Sequence, residues 1–245
     1  MQIIDMPWEI KNLGKRSVSM VIDSSDDLNL IKENIEAISD YEYQVIKAPI
    51  ERMDVSYILQ ENGFVFAETA FDLSLKLKNL KCPDTYTRYI DYTSYSEASS
   101  EEVKLVDSEI RKGIFNTDKV ALDPLMSTEL SGQRFANWFT TEVESGKSKC
   151  YLVNLEDKPI GFFGVKDVNE KKADSFLAGL FDNDDGRGFG ISTIYYPLLV
   201  AKESGKKTMT ARVSSNNPNS LKVHLELGYK IDKMHYVYVK HNDNK

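Results

Sequence analysis

The first third of the chain alternates between strand patterns and helical patterns. Runs of apolar residues predict strands over 16–22, 42–47 and 65–77, and apolar residues at helical spacing predict helices over 28–38 and 50–61. An alternating order of this kind is typical of an α/β domain, in which helices cover a sheet.

A break in the apolar pattern separates this part from the rest of the chain. Residues 78–84 interrupt the pattern, predict a linker and divide the chain into domains over 1–80 and 85–245. A strand over 86–92 is then predicted, and Ser99 with Glu102 forms the Ser-x-x-Glu pattern of a helix capping box.

The second domain predicts a mixed sheet with helices, so the fold class is α/β. Its further predicted elements are a helix over 133–143, a meander of strands over 149–155, 159–168 and 173–182, a helix that ends near 204, a strand over 208–213, a helix over 217–228 and a strand over 234–240. The irregular segment 115–128 is long for a plain connection, which favours a binding loop.

A glycine-rich loop follows a strand that has the composition of a buried strand. Residues 176–181 do not alternate with polar residues, and Gly186, Gly188 and Gly190 then remove every second side chain before a helix. Backbone N–H groups in such a loop can approach an anion closely. The spacing fits neither the dinucleotide fingerprint nor the Walker loop, since Ile191 follows Gly190. A tight turn without a ligand remains the alternative.

A second motif follows the predicted helix and strand that come after the glycine loop. Asn217 is predicted to cap a helix that starts at Pro218 and ends at Gly228, before Tyr229. Gly63 precedes an aromatic residue in the same way at the end of an earlier predicted helix.

Composition and charge narrow the class of protein. The 245 residues are 41% hydrophobic with a net charge of −7, which argues against a nucleic-acid groove or an anionic membrane surface as the partner. Two distant cysteines and three histidines predict neither a disulfide framework nor a metal site. No leader pattern or long apolar run is found, so a cytoplasmic enzyme is expected, as a monomer or homodimer.

The ordered pair of motifs resembles the GNAT acyl-CoA N-acetyltransferases. The resemblance implies a GNAT domain, preceded by a partial GNAT-like half-copy that has lost its glycine loop, and acetyl-CoA as the cosubstrate. The helix, Gly, aromatic and strand order of the first domain is also a common connection. The chain further resembles the branch that acetylates nucleotide-linked amino sugars, the dTDP-fucosamine acetyltransferase type, through Pro7-Trp8 and the segment 118–124.

The resemblance implies particular coenzyme-binding residues. They are Leu180, Phe181, Asp182, Asp185, Gly186, Arg187, Gly188, Phe189, Gly190, Ile191, Asn217 and Ser220. Asp185 stands where the family has glutamine or arginine, and carboxylates beside a pyrophosphate are unfavourable. These carboxylates also suit a helix N-terminus as caps.

The family pattern places its catalytic tyrosine at His224. An imidazolium could protonate the departing thiolate, and with an ordinary pKa of about 6.5 it needs surroundings that raise that value. Packing in the core is the equally weighted alternative. No general base is indicated by the sequence.

The acceptor is expected to be a small-molecule amine that contacts Phe115, Asn116 and Asp123 in the irregular loop. A nucleotide-linked amino sugar would use the extra wall that the first domain provides. A peptide or protein amine, an aminoglycoside, or a non-catalytic coenzyme A-binding scaffold or sensor are the alternatives.

Overall fold

The computed structural model describes residues 1–181 and 186–242, which form ten strands and eight α-helices within those ranges. The strands are β1 (Gln2–Asp5), β2 (Ser17–Val21), β3 (Tyr43–Pro49), β4 (Val65–Lys76), β5 (Thr93–Glu97), β6 (Ser148–Leu155), β7 (Lys158–Asn169), β8 (Lys172–Leu180), β9 (Thr208–Ser214) and β10 (Lys230–His241). The helices are α1 (Trp8–Leu13), α2 (Leu28–Ala37), α3 (Met53–Glu61), α4 (Asp84–Asp91), α5 (Ser100–Arg111), α6 (Thr128–Glu144), α7 (Gly190–Glu203) and α8 (Pro218–Glu226).

The chain divides into two compact units. The first contains Met1–Phe71, Ser214–Asn216 and Lys233–Lys245, and the second contains Asp72–Val213 and Asn217–Asp232. This division differs from the predicted domains over 1–80 and 85–245, because the C-terminal strand belongs to the first unit and residues 72–80 belong to the second.

The first unit has the strand order β1-β2-β3-β10-β4. β2 and β3 are parallel, whereas β10 is antiparallel to β3 from His235↔Pro49 to His241↔Tyr43. The core lies between these strands and the helices α2 and α3. It contains Val18, Met20, Ile22, Ile31, Ile35, Ile46, Val55, Leu59, Phe64 and Tyr238. Asp27 begins α2 by accepting hydrogen bonds from the N–H groups of Asn29 and Leu30.

The second unit has the order β4-β9-β8-β7-β6-β5. β6 to β8 form the predicted antiparallel meander, β5 adds to it by antiparallel pairing with β6, and β8 pairs parallel with β9. The core between the sheet and the helices α5 and α6 contains Val106, Ile110, Phe139, Cys150, Leu152, Phe162 and Phe176. The capping box of Ser99 and Glu102 is confirmed at the start of α5. The prediction of an α/β fold with a mixed sheet is therefore confirmed.

One predicted element is wrong, and one predicted helix begins earlier than expected. Residues 86–92 were expected as a strand, but α4 occupies Asp84–Asp91 and the strand begins only at Thr93. Pro83 precedes this helix, and Asp84 and Arg88 carry the charges that suit its first and last turns. The helix predicted over 133–143 begins instead at Thr128, because the side chain of Ser127 accepts a hydrogen bond from the N–H of Leu130.

Candidate functional site

The strands β8 and β9 separate part of the way along their length. Their parallel register runs from Lys172↔Thr208 to Asp174↔Thr210 and ends there, although β8 continues to Leu180. β8 has a bulge directly after this point, because Val165 pairs with Ser175 and Phe163 pairs with Ala178. A bulge bends its strand and increases the local twist. The bulge therefore explains why β8 leaves β9 at Asp174.

The separated part of β8 turns backbone groups toward the opening. The N–H of Phe181 donates to the carbonyl oxygen of Ile160 at 2.9 Å, so the backbone of Phe181 is bonded toward β7. Backbone groups alternate in direction along a strand. The N–H and carbonyl groups of Leu180 therefore point away from β7, toward the side on which β9 has departed. This arrangement suits an extended polar chain bound along β8.

The described part of the glycine loop leads directly into α7. The N–H of Phe189 donates to the carbonyl oxygen of Gly186. Gly188 has a φ of +90°, a backbone angle that residues other than glycine rarely adopt. Phe189 occupies the N-cap position of α7 and provides no side-chain acceptor, while Ile191 is buried beneath the first turn. The N–H of Ser192 donates to the carbonyl oxygen of Phe189 at 2.9 Å. The N–H groups of Gly190 and Ile191 have no helical carbonyl four residues before them, and N–H groups at such a helix start suit an anion.

Other predicted coenzyme residues have different surroundings. Arg187 is exposed, whereas Asp182 and Asp185 lie outside the described residues. Asn217 caps α8, since its side-chain oxygen accepts from the N–H of Ser220 at 3.1 Å. Both of these polar groups thus have a role in the helix, and their role in coenzyme binding stays a prediction.

His224 is buried, with only 5% of its surface exposed. Its Nδ1 lies 2.8 Å from the carbonyl oxygen of Ser220, and its ring meets that of Tyr229 edge to face at 4.9 Å between centroids. A carbonyl oxygen only accepts, so Nδ1 carries the proton in the neutral ring. Burial lowers the pKa of His224, and the hydrogen bond to Ser220 opposes this shift only in part. The surroundings therefore favour the neutral imidazole.

The predicted acceptor loop lies against β8. An added Cβ at Gly179 would meet the ring of Phe115 at 3.3 Å, so this ring covers the backbone of β8. Asn116 is exposed, and the carboxylate of Asp123 accepts from the N–H of Leu125 at 2.9 Å. Trp138 is 44% exposed and packs its edge on Phe176, the bulge residue of β8. The loop thus brings an aromatic surface to the separated part of β8.

The loop is fixed by a network that the sequence did not indicate. Asp118 accepts hydrogen bonds from the N–H of Ala121 and from the hydroxyl of Ser131, at 3.0 and 2.6 Å, and Val120 is fully buried. The segment between α5 and α6 contains no helix or strand, and these contacts hold it against α6.

A polar row on one face of β9 was missed by the sequence analysis. Thr210 donates to Asp174 at 2.5 Å, and Arg212 donates to Asp72 at 2.7 Å. Asp174 pairs with Lys166 across β7 and β8, and Lys166 contacts Glu142 of α6, which places the row on the α6 side of the sheet. The alternation of polar and apolar residues in β9 was the available signal.

Asp174 is the most unusual carboxylate of this row. It lies at the last paired position before β8 and β9 separate. Burial raises its pKa, while the hydrogen bond from Thr210 and the charges of Arg212, Lys172 and Lys166 oppose the rise. A carboxylate with a raised pKa at such a point is a candidate proton acceptor.

Two further classes of site are absent from the described residues. No group of three or more histidine, cysteine or acidic side chains there is arranged to hold a metal ion. None of the helices in the described ranges has the length and apolar character needed to cross a bilayer.

Comparison with known proteins shows a shared fold. No family model matches the sequence, and no curated protein matches it. Solved structures do match, among them a GCN5-related N-acetyltransferase from Sphaerobacter thermophilus, with a TM-score of 0.63, 9% identity and coverage of 98% of this chain and 75% of that one. A tandem GNAT protein from the clavulanic acid biosynthesis pathway matches with a TM-score of 0.58, 9% identity and coverage of 95% and 77%.

A third match is the GCN5-related glucosamine N-acetyltransferase region of a fungal multi-domain GH3 β-N-acetylglucosaminidase. Its TM-score is 0.65 at 13% identity, over 98% of this chain and 31% of that one. Identities this low show the fold alone. The chain thus has the GNAT acetyltransferase fold that its motifs predicted, and the amino-sugar branch is not confirmed.

Proposed function

We propose that this protein transfers an acetyl group from acetyl-CoA to a primary amine. The observation that carries the proposal is the separation of β8 and β9 beyond Asp174 and Thr210, with a glycine loop and an uncapped helix at the far end of β8. An extended coenzyme with an anionic end fits this combination. The shared fold with GNAT acetyltransferases supports the same activity.

The coenzyme would bind along the exposed backbone of β8. Leu180 would hold the amide groups of the pantetheine arm, since its own backbone groups point away from β7. The pyrophosphate would lie against the glycine loop, where the N–H groups of Gly188, Gly190 and Ile191 lead into α7 and the N-cap residue provides no side-chain acceptor. Acetyl-CoA supplies the activated acyl group.

We further propose that Asp174 accepts the proton of the attacking amine. The new carbon–nitrogen bond forms as the nitrogen loses a proton to Asp174, and the carbon–sulfur bond then breaks to release the coenzyme thiolate. Burial makes Asp174 a stronger base than an exposed aspartate, because it raises the pKa of this carboxyl. Thr210 orients the carboxylate through its 2.5 Å hydrogen bond.

We propose His224 as the proton donor to the departing thiolate. Its surroundings in the structure oppose this role. Its neutral ring holds the Nδ1 proton on the carbonyl oxygen of Ser220, and burial lowers its pKa. A proton donor at this position would need the imidazolium form, which the surroundings disfavour. Substitution of His224 separates a catalytic role, which would lower kcat, from a packing role, which would lower the melting temperature.

A nucleotide-linked amino sugar is the acceptor that we propose. Phe115 and Trp138 give the α6 side of β8 an aromatic surface of the kind that packs against a sugar ring. Asp174 lies on the same side of the sheet and provides a carboxylate that can accept a hydrogen bond from an amine. The fold already serves an amino-sugar amine in the fungal glucosamine acetyltransferase region.

The proposal is tested by offering purified protein and acetyl-CoA to panels of nucleotide amino sugars, aminoglycosides and peptides, while thiol release is measured. We expect release with nucleotide amino sugars. Release only with peptides or aminoglycosides would overturn the acceptor and leave the acetyl transfer intact.

A non-catalytic coenzyme sensor is the second candidate. The aspartates 182, 184 and 185 in the loop sequence favour it, because they oppose the charge of a pyrophosphate. Coenzyme binding without thiol release for every acceptor would support this candidate.

A further inference from the structure

A short helix lies against the glycine loop in the second unit. The ring of Tyr89 on α4 meets Phe189 edge to face at 5.7 Å between centroids, and an added Cβ at Gly188 would lie 3.7 Å from the same ring. α4 thus borders the part of the loop that leads into α7. Neither the predicted coenzyme residues nor the proposed catalytic residues include any residue of this helix.

α4 is held in this position at both ends. The hydroxyl of Thr93, just after the helix, lies 2.9 Å from that of Ser192 and 2.8 Å from that of Tyr196, both on α7. Tyr196 also donates to the carbonyl oxygen of Thr93 at 2.6 Å. Nearer the start of α4, the hydroxyl of Tyr86 donates to Glu226 of α8. The helix therefore presents its middle residues to the loop from a fixed position.

Arg88 provides a cation at this border. Its guanidinium lies over the ring of Tyr89 at 4.7 Å from the centroid, and its Nη2 donates to the hydroxyl of Tyr89 at 2.7 Å. Within residues 1–181 and 186–242, Arg88 makes no ion pair with a carboxylate, and its side chain is exposed. A guanidinium has five N–H donors, so four remain for a ligand. Tyr89 fixes the direction in which they point.

The sequence of the glycine loop has more acidic than basic residues. Aspartates occupy 182, 184 and 185, and Arg187 is the only basic residue from 182 to 191. A ligand with several phosphates needs further positive charge near its outer end. The ring of Tyr89 borders Gly188 on one side and carries the guanidinium of Arg88, so Arg88 can supply that charge beside the loop.

We propose that Arg88 binds the 3′-phosphate of coenzyme A and that Tyr89 is its positioning residue. The inference rests on the proposed function, because it assumes that coenzyme A runs from β8 over the glycine loop. The 3′-phosphate lies beyond the pyrophosphate from the thioester, so it would lie next to the loop residues Gly188 and Phe189, which α4 borders through Tyr89.

The test compares the binding of coenzyme A and dephospho-coenzyme A by calorimetry. Arg88→Ala should weaken coenzyme A about tenfold, the loss expected for one charge-assisted contact, and should change dephospho-coenzyme A less than about twofold. Tyr89→Phe should lower the preference for coenzyme A over dephospho-coenzyme A in part, because the guanidinium loses its fixed acceptor. Lys81→Ala removes one positive charge from the exposed segment before α4 and should leave both affinities unchanged.

Equal weakening of both ligands by Arg88→Ala, or no weakening of either, would overturn the inference, while wild-type binding of coenzyme A would leave the proposed function standing. Failure of the wild-type protein to bind either ligand would overturn the proposed function, and the inference with it. Circular dichroism of each variant shows whether the fold is kept.

Discussion

At the scale of single residues, Asp174 carries the clearest expectation. Asp174→Asn removes the proton acceptor and keeps a side chain of similar shape, so kcat/KM should fall about 10²-fold or more. In the wild type, kcat/KM should fall as the pH drops through the raised pKa of Asp174, because the carboxylate form is required. The variant should lose this limb of the profile. An unchanged kcat/KM would remove Asp174 from the mechanism.

Asp174→Asn should lower activity but should not lower the free energy of unfolding at neutral pH. The folded pKa of Asp174 is raised above its ordinary value of 3.8, so the stability that its protonated form contributes is present below that value and is lost as the pH rises through the folded pKa. Asp174→Asn should therefore be at least as stable as the wild type at pH 7. Its advantage should shrink as the pH falls, in thermal unfolding followed from neutral pH down to about 4.

His224 has a pKa shift of the other sign. Its folded pKa lies below the ordinary 6.5, so the stability contributed by the neutral ring is present above that value and is lost as the pH falls through the folded pKa. The midpoint of the wild type should therefore fall more steeply below pH 6.5 than that of His224→Gln, which does not titrate there.

The same variant tests the catalytic role. A general acid at this position predicts that kcat falls about 10²-fold in His224→Gln. A normal kcat together with a lower melting temperature would assign His224 to packing against Tyr229 and Ser220.

At the scale of elements, the glycines at the two ends of α7 are expected to have different roles, one in coenzyme binding and one in the backbone turn. Gly190 begins the helix, and an added Cβ would meet only Leu180 Cδ1 at 3.9 Å, an ordinary contact. Gly190→Ala should therefore keep or raise the melting temperature, because alanine favours a helix by up to about 1 kcal/mol. The affinity for acetyl-CoA should fall several-fold, since the methyl group narrows the approach between the loop and Leu180.

Gly205, at the other end of α7, is the matched control. It has a φ of +81° and nothing within 4 Å of an added Cβ. Gly205→Ala should cost about 1 kcal/mol of stability, through backbone strain alone, and leave coenzyme affinity unchanged. If both variants bind acetyl-CoA like the wild type, the loop does not bind the coenzyme.

Local sequence signals were sufficient for most elements and insufficient for α4. The capping box at Ser99, the meander and the helix that Asn217 caps follow from local rules. In α4, tyrosine, threonine and isoleucine favour a strand by composition. Beside the charges of Asp84 and Arg88, the helix has contacts with α7, through the bond from Tyr196 to the carbonyl oxygen of Ile90, and with α8, through Tyr86. Composition does not record those contacts.

Some residues of the candidate site can be recognised from the sequence, and others only from the structure. The glycine loop is visible in the sequence because its function depends on consecutive residues. Asp174 is not visible, because its significance depends on the register of β8 against β9 and on the bulge that follows. Arg88 likewise acquires a role only when α4 lies beside Gly188.

At the scale of the whole molecule, the C-terminal strand belongs to the first unit. Tyr238 packs in the core of that unit, and β10 pairs along β3. Tyr238→Ala should cost about 3 kcal/mol or more, as for other large core truncations. Hydrogen exchange should speed up first in β2 and β3, while β6 and β7 keep their protection. Faster exchange confined to β6 and β7 would contradict this division of the chain.

Calorimetric titration of the purified protein with acetyl-CoA measures whether the coenzyme binds along the separated part of β8. We expect saturable binding of one coenzyme per chain, with a dissociation constant below about 1 mM, the upper end of the usual range of Michaelis constants. Gly190→Ala should weaken this binding. If the folded protein does not bind acetyl-CoA at millimolar concentration, the coenzyme site on β8 is wrong.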